Sequence, residues 1–166
     1  FVRRISELFD GPDNPTIEML FVNDGSSDST LGELLKLQQR DPRIRIVDLS
    51  RNFGKEAALS AGLDAARGQV VVPIDVDLQD PPELINDMID KWRDGYDVVL
   101  ARRVDRQSDN WLKRLTASWF YQIHNRISDI SMPENVGDFR LMDEAVVRAL
   151  QKLPESRRLM KALFAW

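Results

Sequence analysis

The chain has 166 residues, of which 43% are hydrophobic and 30% are charged. This length and apolar content predict one compact domain with a substantial core, and they exclude a disordered segment. The formal net charge of −4 argues against a nucleic-acid-binding protein, and the absence of cysteine excludes disulfides and zinc–thiolate sites.

The first half of the chain is predicted to alternate between helices and strands, because apolar runs with helical or strand-like spacing are separated by polar loops. The predicted elements are, in order, a helix over residues 1–9, a strand over 17–22, a helix over 30–40, a strand over 44–49 and a helix over 55–67. Gly68 stands where a glycine in the left-handed conformation commonly ends a helix.

The second half continues the alternation with an apolar run over residues 70–74. A helix is then predicted to begin with Asp80 as its N-cap, Pro81 at its first position and Glu83 completing a capping box. The remaining predicted elements are a strand over 97–101, a helix over 111–127, a short strand over 139–142, and helices over 144–150 and 156–166. The aromatic-rich helix over 111–127 has two open interpretations, a core helix or a helix lying on a membrane surface.

Strands that alternate with helices in this way predict parallel βαβ units in one sheet, which is an α/β fold. Three polar loops, at residues 23–28, 50–55 and 75–80, each follow a predicted strand. Ligands of such sheets bind beyond the carboxyl ends of the strands. We therefore expect the three loops to converge on one crevice.

The third loop carries Asp75, Asp77 and Gln79 at alternate positions, directly after the most strand-like run in the chain. In extended backbone such residues point to the same side, and two carboxylates with a carboxamide oxygen suit a hard divalent cation such as Mg²⁺ or Mn²⁺. The alternative is that aspartates at a strand end only form a turn. The cation site is favoured here because Asp80 is available to cap the following helix.

The two other loops carry groups suited to a nucleotide. Asp24 directly follows the first strand, where its carboxylate can accept hydrogen bonds from a base or from ribose hydroxyls. Arg51, Gly54 and Lys55 stand at the next junction of a strand and a helix, an arrangement that favours phosphate. The alternative for the first loop is an ordinary turn followed by a helix N-cap. The signatures of a P-loop, a dinucleotide site and a serine hydrolase are absent from the sequence.

Four segments, taken together, resemble the family 2 glycosyltransferases. They are VNDGSSD at residues 22–28, RNFGK at 51–55, DVDLQDPPE at 75–83 and GDFRLM at 137–142. The resemblance is strongest to the polyprenyl-phosphate glycosyltransferases, which include dolichyl-phosphate mannose synthase and the bactoprenol glucosyltransferases. It covers nearly the whole chain, and the string DVDLQDPPE is specific whereas Asp-x-Asp alone is not.

The resemblance implies a GT-A fold, that is, an α/β, Rossmann-like αβα sandwich with a mostly parallel central sheet, as a single catalytic domain over residues 1–166. It implies inverting transfer of one hexose from a UDP- or GDP-sugar to a polyprenyl phosphate, with Mg²⁺ or Mn²⁺ as cofactor. A single transfer is expected because the Gln-x-x-Arg-Trp motif of processive synthases is absent from the sequence.

The resemblance and the loop chemistry together assign roles to individual residues. The expected groups are Asp75, Asp77 and Gln79 for the metal; Asp24, Arg51, Lys55, Asp75 and Asp77 for the nucleotide sugar; Arg103, Arg114 and Arg140 for the acceptor phosphate; and Asp138, Asp77 and Arg140 for catalysis. Three alternatives stay open: a glycosyltransferase acting on a saccharide hydroxyl, with Asp138 as an obligatory base; a nucleotidyltransferase; and a non-catalytic domain that binds nucleotide sugars.

The family pattern also gives expectations about the parent protein. The first strand of the family is expected to be missing ahead of Phe1, and transmembrane helices are expected beyond Trp166, with Leu159 to Trp166 as their approach. We therefore expect a catalytic domain at the cytoplasmic face of a membrane, acting in cell-envelope glycan biosynthesis. Its expected partners are a nucleoside diphosphate sugar, a polyprenyl phosphate and the membrane; nucleic acid is not expected, and a homo-oligomeric state stays open.

Overall fold

The computed structural model describes residues 1–12, 14–102 and 136–152. Its helices are α1 (Val2–Phe9), α2 (Thr30–Arg40), α3 (Lys55–Ala65), α4 (Leu84–Arg93) and α5 (Glu144–Gln151). Its strands are β1 (Met19–Asn23), β2 (Ile44–Asp48), β3 (Val70–Val71), β4 (Val98–Arg102) and β5 (Val136–Asp143). The helices predicted over 111–127 and 156–166 lie outside the described residues, as do Arg103 and Arg114.

The described strands form two groups that differ in the direction of pairing. β1 and β2 pair in parallel, with Met19 opposite Ile44 and Asn23 opposite Asp48. β5 lies between β3 and β4 and is antiparallel to both. The α/β architecture is as predicted, and the antiparallel central position of β5 is an addition that the alternation of helices and strands does not predict.

Two apolar clusters hold the helices against the strands. The main cluster is formed by α1, α4 and the three strands β1, β2 and β5, and its buried members are Ile5, Phe9, Met19, Ile44, Ile85, Met88, Ile89, Phe139 and Leu141. A second cluster joins α3 to α5 and consists of Leu63, Met142, Val147 and Leu150. Since burial of each such side chain contributes about 1.5–3 kcal/mol, these clusters fix the strand ends from which the polar loops emerge.

The prediction of a left-handed helix end at Gly68 is wrong. α3 ends earlier, and Ala66 at its C-cap is extended, with φ −65° and ψ 146°. Among the described residues, positive φ angles occur at Gly25, Gly54, Gly95 and Leu78. The chain therefore leaves α3 by straightening rather than by a left-handed turn.

The predicted start of the fourth helix is also wrong. α4 begins at Leu84, whose N–H donates to the Pro81 carbonyl at 3.2 Å, so the two prolines form a turn ahead of the helix. A residue that precedes proline is disfavoured in the helical conformation, and Pro81, the predicted first helical residue, precedes Pro82. The Glu83 carboxylate forms no capping bond and instead accepts a hydrogen bond from Arg4 Nε at 2.6 Å.

Candidate functional site

The carboxyl ends of β1 and β2 lie at the same edge, because Asn23 and Asp48 are directly paired. The side chain of Asn23 is buried and its Nδ2 donates to Asp48 Oδ1 at 2.7 Å. The carbonyl of Asn23 accepts from Leu49 N at 2.9 Å, which extends the contact into the loop after β2. These bonds bring the first two polar loops side by side.

Asp24 binds the loop that follows β2. Its Oδ1 accepts from Phe53 N at 2.7 Å, and its Oδ2 accepts from Gly54 N at 2.9 Å. Gly54 is the N-cap of α3, with φ +94°, so the carboxylate stands at the positive end of a helix. The sequence predicts a nucleotide contact for Asp24 but does not predict these two main-chain bonds. A carboxylate has about four acceptor positions, so a ribose contact is compatible with both main-chain bonds.

Gly25 makes the close approach of these loops sterically feasible. It has φ +63°, and a Cβ at this position would lie 2.2 Å from the carbonyl carbon of Arg51 and 2.4 Å from Asn52 N. No side chain fits so close to another stretch of backbone. Gly25 therefore allows the loops after β1 and β2 to pack together. The sequence predicts a loop at this position but not this close contact.

Lys55, the first residue of α3, connects the second loop to two carboxylates. Its Nζ lies 2.8 Å from Asp75 Oδ2 and 3.0 Å from Asp138 Oδ2. Burial lowers the pKa of Lys55, but the hydrogen bonds to the two carboxylates outweigh burial and raise this pKa above its ordinary value. The lysine is therefore charged at neutral pH. The sequence predicts a phosphate contact for Lys55 but does not predict its pairing with either aspartate.

The acidic loop is not extended, which contradicts the extended backbone predicted for Asp75, Asp77 and Gln79. β3 ends at Val71, residues 76 and 77 form a turn, and Leu78 has φ +59°. Asp77 Oδ1 accepts from Gln79 N at 3.0 Å, which is the turn-forming role considered as the alternative. Neither Asp75 nor Asp77 caps a helix.

The donor set can nevertheless be compared with the needs of a metal ion. Within the described residues, no group of three or more Asp, Glu or His side chains could hold a metal. Mg²⁺, however, is usually bound by one or two carboxylates and completed by waters and substrate phosphates. Asp75 and Asp77 with the Gln79 amide would fit a site of that kind.

Asp138 and Arg140 alternate along β5, so they lie on the same face of the strand. The side chain of Asp138 is 22% exposed, whereas Arg140 as a whole is only 4% exposed. Burial lowers the pKa of Arg140 to about 10, and the charge of Asp138 partly offsets this effect. Arg140 thus remains a cation at neutral pH and stands close to the candidate catalytic carboxylate. Its burial was not predicted.

Arg51 lies on the exposed side of the loop that follows β2. Its guanidinium stacks over the Phe53 ring, 4.7 Å from the ring centre, and Phe53 is half exposed. A cation on an aromatic face contributes about 0.5–1 kcal/mol at such a surface position. The pair offers a flat face and a positive charge at the rim of the site.

A cavity of about 800 Å³ adjoins Lys55, Asp75 and Asp138. It runs between β1 and residues 69–76, and Lys55, Asp75 and Asp138 line it at the edge where the loops meet. Ligand pockets commonly have volumes of about 300–1,000 Å³. The cavity thus places one ammonium and two carboxylates beside an opening large enough for a ligand or for a further segment of chain.

Comparison with known proteins gives consistent matches. A model of Glycosyl transferase family 2 matches residues 2–151. The protein named uncharacterized glycosyltransferase sll0501, from Synechocystis, is 57% identical over 91% of this chain and 48% of its own length. The bactoprenol glucosyl transferase of Shigella phage SfV is 52% identical over 90% of this chain and 49% of its own length. The chain spans about half the length of these curated relatives.

A solved structure matches the fold. It is the mannosyltransferase PcManGT from Pyrobaculum calidifontis in complex with GDP-Man and Mn²⁺, with a TM-score of 0.56, 22% identity, and coverage of 93% of this chain and 44% of that chain. The likeness confirms the expected α/β fold of the GT-A type. No helix within the described residues is long and apolar enough to cross a bilayer.

Proposed function

The chain belongs to glycosyl transferase family 2, and from this membership we propose that it transfers one hexose from a nucleoside diphosphate sugar to a polyprenyl phosphate, with inversion. The observation that carries the proposal is the contact of Lys55 with both Asp75 and Asp138 at the edge of the cavity. This contact joins the acidic motif, which is proposed to bind the sugar donor, to Asp138, the candidate catalytic carboxylate. The relatives named bactoprenol glucosyl transferase support the choice of a lipid phosphate acceptor.

In the donor half, Asp75, Asp77 and Gln79 would hold Mg²⁺ or Mn²⁺ together with the diphosphate. A cation bound there supplies charge stabilisation of the departing diphosphate. Lys55 contributes a positive charge to the same region from the N-terminus of α3, where backbone N–H groups favour phosphate. Asp24 keeps this helix end in position through its bonds to residues 53 and 54.

The outer part of the nucleotide lies, in this proposal, against the loop after β2. Arg51 and Phe53 provide a charged and an aromatic surface there. Asp24 is close enough to the same loop to accept a hydrogen bond from a ribose hydroxyl or a base.

In the acceptor half, the nucleophile is a phosphate monoester with a second pKa near ~6, so it is largely dianionic at neutral pH. A strong general base is therefore unnecessary. Asp138 orients the acceptor and accepts a proton from the remaining monoanion, and the buried charge of Arg140 stands close to it. Arg103 and Arg114, outside the described residues, are proposed to bind the lipid phosphate, because one guanidinium group can donate two parallel hydrogen bonds to two oxygens of a phosphate.

The acceptor is tested with the full-length protein, Mn²⁺ and radiolabelled UDP-glucose or GDP-mannose. We expect label to pass to undecaprenyl phosphate, and the product to have the anomeric configuration opposite to that of the donor. Transfer only to saccharide acceptors would contradict the lipid phosphate proposal and favour Asp138 as an obligatory base. Tight donor binding with no transfer to either acceptor would favour a non-catalytic domain.

The lipid acceptor has a consequence for location. We propose that the domain works at the cytoplasmic face of a membrane, held there by segments outside this chain. A polyprenyl phosphate keeps its tail in the bilayer, so only its phosphate needs to reach the cluster at Lys55. Fractionation of cells that express the full-length protein, followed by protease treatment of sealed vesicles, tests both the attachment and the face.

We further propose that a strand preceding Phe1 in the full-length protein fills the cavity between β1 and β3. Within the described residues, β1 pairs only with β2, and β3 pairs only with β5, so one edge of each faces the cavity. Backbone N–H and C=O groups at such edges need partners when they are covered. Phe1 itself lines the cavity, so a segment ahead of it starts at the opening.

Hydrogen exchange in the full-length protein tests this strand. We expect the amides of β1 and β3 to exchange as slowly as those of β5, which is paired on both sides. The edge strand β4 serves as the internal comparison, because it pairs only with β5 within the described residues. Exchange of β1 and β3 as fast as that of β4 would contradict the proposal.

A further inference from the structure

Lys55 stands between two carboxylates that belong to different halves of the proposed reaction. Its Nζ is 2.8 Å from Asp75 Oδ2, in the acidic motif, and 3.0 Å from Asp138 Oδ2, on β5. The side chains of Lys55 and Asp75 are each 57% exposed, and that of Asp138 is 22% exposed. The cluster is thus accessible to ions and ligands from solution.

The ammonium has an electrostatic function in this arrangement. Two carboxylates that face one crevice repel each other, and a cation within 3 Å of both removes the repulsion. A divalent cation bound at Asp75 would supply the same kind of charge from the same side. Lys55 and the metal ion would therefore compete for Asp75, because an ammonium and a dication that bind one carboxylate together repel each other.

The lysine side chain is able to change partner. It is a compact charge on a flexible stem of four carbons, and it starts at the N-terminus of α3, where phosphate is favoured. When a metal ion takes Asp75, the diphosphate is a strong acceptor within reach of the same helix end. The lysine would then leave the carboxylates and bind the diphosphate.

We infer that Lys55 is a tethered cation that neutralises Asp75 and Asp138 until a divalent ion and a nucleoside diphosphate bind, and that it then moves to the diphosphate. The first step rests on the contacts of Lys55 in this structure and on the proposed binding of a divalent ion at Asp75. The second step rests on the proposed function, since it needs a diphosphate at this site. The two steps predict opposite effects of one substitution, which makes them separable.

The test uses Lys55→Met in the full-length protein, with Mn²⁺ binding measured by calorimetry without nucleotide. We expect Mn²⁺ to bind roughly two- to fivefold more tightly than in the parent, because exposed ion pairs are worth up to about a fivefold change in affinity. With saturating Mn²⁺, the affinity for UDP or GDP should fall by roughly tenfold or more, since one charge-assisted hydrogen bond is lost.

Three further variants make the result specific. Lys55→Arg keeps the charge and should bind Mn²⁺ like the parent. Lys36→Met removes a lysine from an exposed ion pair with Glu33 on α2, at 2.7 Å, and should also leave Mn²⁺ binding unchanged. Lys55→Gln repeats the loss of charge with a polar side chain, in case the methionine variant is poorly folded.

Equal or weaker Mn²⁺ binding in Lys55→Met and Lys55→Gln overturns the inference, and so does an equal gain in Lys36→Met, which would indicate bulk charge. If Mn²⁺ binds more tightly but UDP and GDP affinities are unchanged, the tethered cation stands and the move to the diphosphate is wrong. If the Mn²⁺ effect is present but no sugar reaches polyprenyl phosphate, the proposed function fails while the first step survives.

Discussion

Replacing Asp77 with asparagine is expected to lower the rate of sugar transfer by about 10²- to 10³-fold at saturating donor, which is the usual loss when one electrostatic partner of a developing charge is removed. Asparagine keeps an oxygen that can accept from Gln79 N, so the turn at residues 76–78 is retained. What is lost is the negative charge with which Asp77 is proposed to bind the metal ion. Initial rates measured over a range of Mn²⁺ concentrations should show both a lower maximum and a higher Mn²⁺ requirement.

Two variants separate this effect from loss of structure. Asp90→Asn removes an exposed carboxylate that pairs with Arg93 on α4 at 3.2 Å, and its transfer rate should equal that of the parent. Asp77→Ala loses both the charge and the bond to Gln79 N, so it should be as inactive as Asp77→Asn and also less stable. A rate for Asp77→Asn within about threefold of the parent would rule out a metal-binding role for this side chain.

The parts of the fold that were predictable are those encoded by neighbours in sequence. The spacing of apolar residues predicted α2 over residues 30–40, as observed, and β2 to within one residue of its end. These patterns depend on which face of a helix or strand is buried, and that face is visible in a window of about ten residues. The convergence of loops at the strand ends followed from the same alternation.

The parts that were missed depend on contacts between distant segments. Lys55 meets Asp138 across 83 positions of sequence, and no local pattern specifies that pairing. The antiparallel pairing of β5 between β3 and β4 is likewise a choice among strands far apart in sequence. The repulsion between Asp75 and Asp138 would predict a cation that faces both of them. Which residue supplies that cation depends on where α3 begins.

The error at the acidic loop has a different cause. Alternate positions of Asp75 and Asp77 face one side only if the backbone stays extended, and strand pairing ends at Val71. Beyond it the chain turns, with Leu78 in the left-handed region at φ +59°. A strained conformation at a leucine is unusual, and it occurs here inside the motif that the family resemblance marks as the metal site. The backbone geometry assumed for the motif was thus wrong, while its assignment as the metal site stays a prediction.

Replacing Gly25 with alanine is expected to destabilise the protein by about 3 kcal/mol or more, because two penalties act together. A positive φ costs an alanine about 1–2 kcal/mol, and the new Cβ would lie 2.2 Å from the backbone of Arg51. The loops after β1 and β2 must then separate, which breaks the bonds of Asp24 to Phe53 and Gly54. Urea unfolding should show the loss of stability.

The same substitution elsewhere in the chain separates the causes. Gly54 has φ +94° but no atom within 4 Å of the added Cβ, so Gly54→Ala should show the conformational penalty alone. Gly32 lies inside α2, also with nothing within 4 Å, and Gly32→Ala should stabilise the protein by about 1 kcal/mol. From the most to the least stable, the order should therefore be Gly32→Ala, the parent protein, Gly54→Ala and Gly25→Ala.

The functional consequence distinguishes a framework role of Gly25 from a purely local one. Since the contact at Gly25 keeps the loop of residues 51–54 against β1, its loss should weaken UDP or GDP binding even at temperatures where the variant is fully folded. Gly32→Ala changes stability without touching either loop, so its nucleotide affinity should match that of the parent. A Gly25→Ala protein that is destabilised yet binds the nucleotide with parental affinity would mean that the apposition of the two loops is not needed to form the nucleotide site.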